Sequence, residues 1–313
     1  MKILVTGGCG NIGAHVVENF AKKGHFIRVV DKNSDGLSKL AASNVETLAG
    51  DFSDKEFIVN AVEGMDAIIH LAWSFSSDPV ELLETDVKGY AHLLNAALQH
   101  KVEHVINTST AVAYGKPQYS PVDEKHPRIV ETARKPMYAL AKLATEKLGL
   151  IYGRQNNLAV NTTMIWWAYG NAIGGKHIRS MVKDVLQKGE LQVPKDCGGS
   201  FLQLDDFVTA LEGIIAKKPI GETFNLGTVY LTWEELAEII IARANPEARV
   251  ISVPKEEWKG SSFLTDDWKF STAKAEKELG YHSRFSKAEA VEHLGKALEA
   301  CIAEVKQSLS VSE

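Results

Sequence analysis

The chain has 313 residues, of which 45% are hydrophobic and 24% charged, and its formal net charge is −5. That composition is ordinary for a globular protein of one large domain or two unequal lobes. A mildly acidic chain with no Lys/Arg block has no electrostatic footprint for nucleic acid or an anionic membrane, so neither is expected as a partner.

In chain order, the first half alternates short β-branched runs with longer amphipathic stretches. Strands are predicted at 3–6, 26–30, 45–49, 67–71 and 105–108, and helices at 12–23, 57–62, 87–99 and 137–152. Runs that are apolar throughout, such as Ala67-Ile68-Ile69-His70-Leu71, suit strands buried on both faces. Strand–helix alternation of this kind gives an α/β fold with a doubly wound parallel sheet. A further strand is predicted at 160–165, after which the pattern changes. Glycines cluster at 170, 174, 175, 189, 198 and 199, with short elements between them. A helix at 205–216 and a strand at 223–226 read as a return to the first lobe, and 287–306 is helical in period. The expected organisation is a dinucleotide-binding lobe of residues 1–165 plus about 201–229, and a smaller substrate-binding lobe of 166–200 plus about 230–313.

Cys9, Cys197 and Cys301 lie far apart without CxxC-type spacing and read as reduced thiols. No signal-type apolar region opens the sequence and no apolar run reaches spanning length, so a cytoplasmic location is expected. The histidines show no metal-ligand spacing, and no metal is expected.

Gly8-Cys9-Gly10-Asn11-Ile12-Gly13 fits GxGxxG, and Gly7, Gly10 and Gly13 fit GxxGxxG. The loop stands between a predicted strand and a predicted helix. There the backbone N–H groups of Gly10, Asn11, Ile12 and Gly13 can meet a pyrophosphate at the positive end of the helix. Alone, such a loop can be an ordinary tight turn. Asp31 strengthens the functional reading, because it ends the second strand 18 residues beyond Gly13. A carboxylate at that point accepts hydrogen bonds from ribose hydroxyls and repels a 2′-phosphate, which favours NAD over NADP. Asp51 and Phe52 after the third strand are placed near the adenine, and Leu71 and Ala72 after the fourth near the ribose.

Tyr138 and Lys142 are four residues apart on one helical face. A phenol ordinarily titrates near ~10, and a neighbouring ammonium is expected to lower that value. Lys142 can also hold the nicotinamide ribose. The pair follows Asn107-Thr108-Ser109-Thr110 at the end of a predicted strand, where a hydroxyl points into the cleft above the sheet. Thr110 is placed beside Tyr138 at the substrate oxygen, with Ser109 as its rival.

With these motifs in order, the chain resembles the extended short-chain dehydrogenase/reductases, the NAD-dependent epimerase/dehydratase group. The likeness rests on Thr6–Gly13, His70-Leu71-Ala72, Asn107–Gly115 and Tyr138-x-x-x-Lys142. Later echoes lie at Asp205–Val208, Phe224–Gly227 and Ser271–Gly280, so it spans nearly the whole chain. The resemblance implies an NAD-binding Rossmann domain, catalysis by Thr110, Tyr138 and Lys142, and a homodimer formed through helices 87–99 and 137–152.

The sequence departs from the family pattern in several places. Trp167 stands where members often carry a substrate-positioning amide, and Trp73 where a small residue is usual. These tryptophans, with Trp166, either line a compact pocket or form lobe-interface core. His177 and Arg179 either meet substrate or belong to a solvated basic segment, and Asp123-Glu124 reads as surface. Members that take nucleotide-diphosphate sugars usually grip the diphosphate with small-lobe arginines. The corresponding segments here, 198–203 and 259–264, contain none. The expected activity is therefore NAD-dependent hydride transfer at a secondary alcohol or ketone carbon of a sugar-like or other hydroxylated small molecule without a nucleotide-diphosphate handle. The rivals are a nucleotide-sugar 4-epimerase and a non-catalytic NAD-sensing module. Retention of both Tyr138 and Lys142 argues against the second.

Overall fold

The computed structural model describes residues 1–310. Seven parallel strands form the main sheet: β1 (Lys2–Thr6), β2 (Phe26–Asp31), β3 (Val45–Ala49), β4 (Ala67–His70), β5 (His104–Thr110), β6 (Ala159–Ile165) and β10 (Glu222–Asn225). Their spatial order is β10-β6-β5-β4-β1-β2-β3. After β3 the chain crosses back to lay β4 on the other side of β1. The crevice outside the carboxyl ends of β1 and β4 is thus the switch point, where ligands bind in open α/β sheets.

Alternation along each strand sends side chains to opposite faces. Ile3 and Val5 join the core under α1 (Asn11–Lys22) and α8 (Leu204–Lys217), with Val16, Val17, Phe20, Phe207 and Leu211. Leu4 and Ile68 face the other core, which holds Ile58 of α3 (Lys55–Val62) and Tyr90, Leu93 and Leu94 of α5 (Lys88–Gln99). Burial on both faces accounts for the uniformly apolar strands.

Before α5 the backbone runs through a short turn α4 (Pro79–Glu81) and a π-helical stretch, Leu82–Val87. The sequence reading expected helix from Val87 and did not contain this wide turn. It packs against α6 (Pro136–Asn156), the helix that carries Tyr138 and Lys142.

The remaining elements build a second core. A three-stranded sheet of β7 (Trp167–Tyr169), β9 (Gly198–Gln203) and β11 (Val229–Thr232) and the pair β8 (Glu190–Pro194) and β12 (Arg249–Val253) pack with α7 (Lys176–Lys188), α9 (Trp233–Ala244) and α11 (Lys287–Ser310). Two small elements complete the fold, α2 (Ser34–Ser38) beside β2 and α10 (Ala273–Leu279) against α8. Among the described residues no helix is long and apolar enough to cross a membrane.

Candidate active site

The turn from β1 into α1 leaves no space for a side chain at Gly7 or Gly13. Gly7 has φ +69°, and a Cβ on it would sit 2.7 Å from Ala72 N; one on Gly13 would sit 2.3 Å from Gly7 O. α1 has no side-chain cap and no acidic residue in its first turn, so its N-terminal N–H groups remain open to an anion. Across the turn, Asp31 Oδ2 accepts Cys9 N at 2.9 Å and Oδ1 accepts Asn33 N at 3.0 Å. One carboxylate thereby ties the glycine loop to the end of β2. Burial, reinforced by Asp31, pushes the Cys9 thiol up to about 11, so it stays protonated.

Asp31, Lys32, Asp51, Phe52, Ala72 and Trp73 line one crevice beside Gly7. The backbone N–H of Ser53 holds the Asp51 carboxyl below its ordinary value. Leu71 N and Ala72 N both donate to Thr6 Oγ1 at 3.2 Å, and that hydroxyl also meets His70 Nδ1 at 2.9 Å. His70 lies between the Phe52 and Tyr90 rings. Burial, with Lys142 adding to it, drives it down to about 3, so it is neutral. This packing under the strand end went unseen in the sequence because Thr6 and His70 are 64 positions apart.

An uncapped helix start, a loop with no room for a Cβ and an acidic residue at the end of β2 fit a dinucleotide. Gly7, Gly10, Asn11, Ile12 and Gly13 would hold its pyrophosphate, and Asp31 its adenosine ribose.

Beyond Leu71 the crevice opens into a cavity of about 800 Å³. Thr108, Ser109, Thr110, Tyr138 and Lys142 line its inner end. Lys142 Nζ donates to Thr108 O at 3.0 Å and lies 3.6 Å from the centroid of the Trp73 ring. Trp73 presents its edge to Tyr138 at 5.7 Å and 89°, and Phe75 stacks on the same phenol at 6.3 Å and 20°. Ser109 Oγ is buried with no hydrogen-bond partner, and no hydrogen bond to Tyr138 Oη is present among the described residues.

The electrostatics differ from the expectation of a phenol made more acidic by its lysine. Burial raises the Tyr138 phenol above its ordinary value, and the charge of Asp86 raises it further. Lys142 is itself pushed down to about 7 by burial, against the opposing pull of Asp86. Desolvation dominates both groups, with the Trp73 ring packed against the lysine and the phenol. Asp86, on the π-helical stretch, was not singled out in the sequence. It is buried and accepts Ser74 N at 2.9 Å and Ser74 Oγ at 2.6 Å.

Trp166, Trp167, Ile173, Arg179, Cys301 and Glu304 line the outer end of the cavity. Trp167 is therefore both cavity wall and packing surface, since it also stacks on Phe201 at 6.0 Å. Arg179 pairs with Glu304 of α11 at 2.6 Å. His177 stands outside the cavity, stacked on Phe263 at 4.4 Å with its Nε2 buried and unpartnered. Glu124, expected at the surface, is instead half-buried and accepts Asn225 N at 2.7 Å, because the loop bearing it closes over the end of β10. Among the described residues no three His, Cys, Asp or Glu side chains are grouped to hold a metal ion.

Comparison with known proteins agrees with this architecture. The model of the NAD-dependent epimerase/dehydratase family matches residues 3–227. The chain is 30% identical over 273 residues to a UDP-N-acetyl-alpha-D-glucosaminuronate decarboxylase of Bacillus cytotoxicus, covering 82% of this chain and 84% of that one. It is 34% identical over 155 residues to a UDP-glucose 4-epimerase of Halalkalibacterium halodurans, covering 47% and 45%. A solved structure of a dTDP-glucose 4,6-dehydratase double mutant from Streptomyces venezuelae, with NAD bound, superposes with a TM-score of 0.76 at 26% identity, covering 95% and 97%. The chain belongs to the NAD-dependent epimerase/dehydratase family and is an NAD-dependent enzyme.

Proposed function

We propose that this enzyme moves a hydride to or from a secondary alcohol or ketone carbon of a sugar-like or other hydroxylated small molecule lacking a nucleotide diphosphate. The observation that carries the reading is the cavity itself. Its inner end gathers Tyr138, Thr110 and Lys142 next to the glycine loop, and its one arginine among the described residues, Arg179, is already paired with Glu304.

NAD supplies the hydride acceptor or donor. Tyr138 serves as the acid/base: as a neutral phenol it gives its proton to the oxygen of a carbon being reduced, and as a phenolate it takes that proton in the reverse direction. Thr110 Oγ1, or the unpartnered Ser109 Oγ, hydrogen-bonds the same oxygen and fixes it against Tyr138. Lys142 holds the nicotinamide ribose, and its positive charge favours the phenolate when the proton has left. Trp73 and Phe75 keep bulk water from the phenol. Trp167 and Arg179 are placed to contact the far end of the substrate, whereas His177 acts on it only through Phe263.

Residues 1–165 with about 201–229 are taken as the cofactor lobe, and 166–200 with about 230–313 as the lobe that binds substrate, residues 311–313 lying outside the described residues. Met137, Leu140 and Ile151 of α6 and nearby Leu83 are exposed apolar residues, a pattern that suits pairing with a second copy. Three free thiols fit a reducing cytoplasm.

A second reading, nucleotide-sugar 4-epimerase, draws on the relatives, whose names are those of nucleotide-sugar enzymes. It would use the same Tyr138 and Lys142 but return the hydride to the opposite face. The test is a panel of sugars, sugar acids and nucleotide sugars offered with NAD. Accumulation of NADH with an unactivated compound is the expected result. Interconversion of a nucleotide sugar without net NADH would replace the first reading with the second.

A further inference from the structure

Lys142 lies against two electron-rich groups and feels one buried carboxylate. Thr108 O accepts from its ammonium at 3.0 Å, the Trp73 ring covers it at 3.6 Å, and the buried carboxylate of Asp86 is the one negative charge acting on it. The π-helical stretch that carries Asp86 packs directly on α6. Wide turns of that kind re-aim side chains and concentrate at functional sites. Among the described residues both hydrogen bonds to Asp86 come from Ser74, the residue next to Trp73. The carboxylate thus grips the backbone that places the indole over the ammonium.

We propose that Asp86 is a positioning residue of this site: it is the buried counter-charge to Lys142 contributed by the π-helical stretch packed on α6, and through Ser74 it pins the Trp73 ring across that lysine. The proposal rests on the reading that Tyr138 and Lys142 carry the proton transfer. The other ionisable groups facing the cluster do not duplicate the role. His70, on β4, is buried and neutral; Tyr138, on α6, is held as a neutral phenol; and Glu81, on α4, acts on Asp86 as a like charge. Burial raises the Asp86 carboxyl, and the Ser74 hydrogen bonds and the Lys142 charge oppose that trend. Asp86 and Lys142 are thus mutually dependent.

The Trp73 ring lies against the ammonium, so its emission reports the charge on Lys142 without any substrate. The experiment is a pH titration of tryptophan fluorescence on the full chain without NAD, taking the difference between wild type and Trp73→Phe. Lys142→Met must abolish the titration and so assign it. Asp86→Asn keeps the shape and loses the charge. It should move the midpoint to lower pH by at least about one unit, the scale of a lost close opposite charge. Ser74→Ala deletes the hydroxyl bond to Asp86 while the backbone N–H bond remains, and should lower the amplitude because the indole is held less firmly. A midpoint unmoved by Asp86→Asn overturns the counter-charge role. An unchanged amplitude in Ser74→Ala overturns the anchoring role, and this variant still decides that part if Asp86→Asn does not fold. The titration reads Asp86 whether or not Tyr138 transfers a proton, whereas turnover of Tyr138→Phe tests the latter alone.

Discussion

The Lys142 ammonium lies 3.6 Å from the centroid of the Trp73 ring, and Trp73 lines both the crevice beside Asp31 and the larger cavity beyond Leu71. The lysine therefore sits where the crevice and the cavity meet, beneath an indole. Such burial is costly for a cation even when a π-face and a carbonyl face it.

The first prediction is that removing the buried pair together, in the double variant Lys142→Met/Asp86→Asn, stabilises the fold near neutral pH. Lys142 titrates at about 7 in the folded chain. In the unfolded chain it titrates near ~10.4. Between those values the unfolded state binds the extra proton, so wild-type stability rises with pH across that window. Below about 7 the penalty is complete; above about 10 it vanishes. The variant should be more stable by on the order of 2–4 kcal/mol at pH 7, with the gap closing as pH approaches 10. Denaturant melts at several pH values check this, and a gap that does not narrow with pH would refute it.

Tyr138→Phe should remove nearly all turnover while leaving NAD affinity little changed. The ring remains between Trp73 and Phe75, so packing survives and the transferable proton does not. A general acid/base typically contributes ~10²–10⁴-fold, and the loss should fall in that range. Steady-state kinetics and NAD calorimetry on the same preparation decide the matter; near-normal turnover would sink the assignment.

Asp31 offers a third test, because it serves two masters. Its carboxylate faces the crevice and also holds Cys9 N of the glycine loop. Asp31→Asn keeps an acceptor for Cys9 N but loses the charge that repels a 2′-phosphate. It should narrow the preference for NAD over NADP with a modest loss of NAD affinity. Asp31→Ser, too short to reach the loop in the same way, should lose more. If wild type already prefers NADP by calorimetry, the role given to Asp31 is wrong.

What the sequence revealed and what it hid follow from the range of the interactions. Tyr138 and Lys142 were legible because one helix turn brings them together, and the glycine loop because its spacing is local. The expected direction of the Tyr138 shift was wrong because burial beneath Trp73 and the negative charge of Asp86, both contributed by other elements, raise the phenol. Asp86 was invisible because a wide turn aims it at α6, and no helical period encodes such a turn. Glu124 read as surface because its partner Asn225 lies 101 positions away. His177 and Arg179 share one helix, yet only Arg179 turns toward the cavity, and its partner Glu304 lies on α11.

The last prediction concerns the handle of the substrate. A diphosphate buried in a protein needs paired, charge-assisted donors, for which arginine forks are best suited. Residues 198–203 form the central strand of the small-lobe sheet, fully buried and without a cation. In 259–264 the aromatic Phe263 packs against Trp166 and His177, and no arginine belongs to that segment. Arg134 does approach the Phe263 ring at 4.9 Å, but it does not line the cavity. Arg179 does line it, in a half-exposed 2.6 Å pair with Glu304 whose breaking costs at most about 1 kcal/mol. UDP, dTDP and GDP should therefore bind the NAD-loaded enzyme no better than roughly millimolar, a few kcal/mol weaker than a gripped diphosphate. Glu304→Gln, which releases Arg179, should improve that binding if the arginine can reach a phosphate at all. Calorimetry with the three nucleotides on both proteins measures it. Micromolar binding of any of them to wild type would restore the nucleotide-sugar reading and make Arg179, already in the cavity wall, its first candidate anchor.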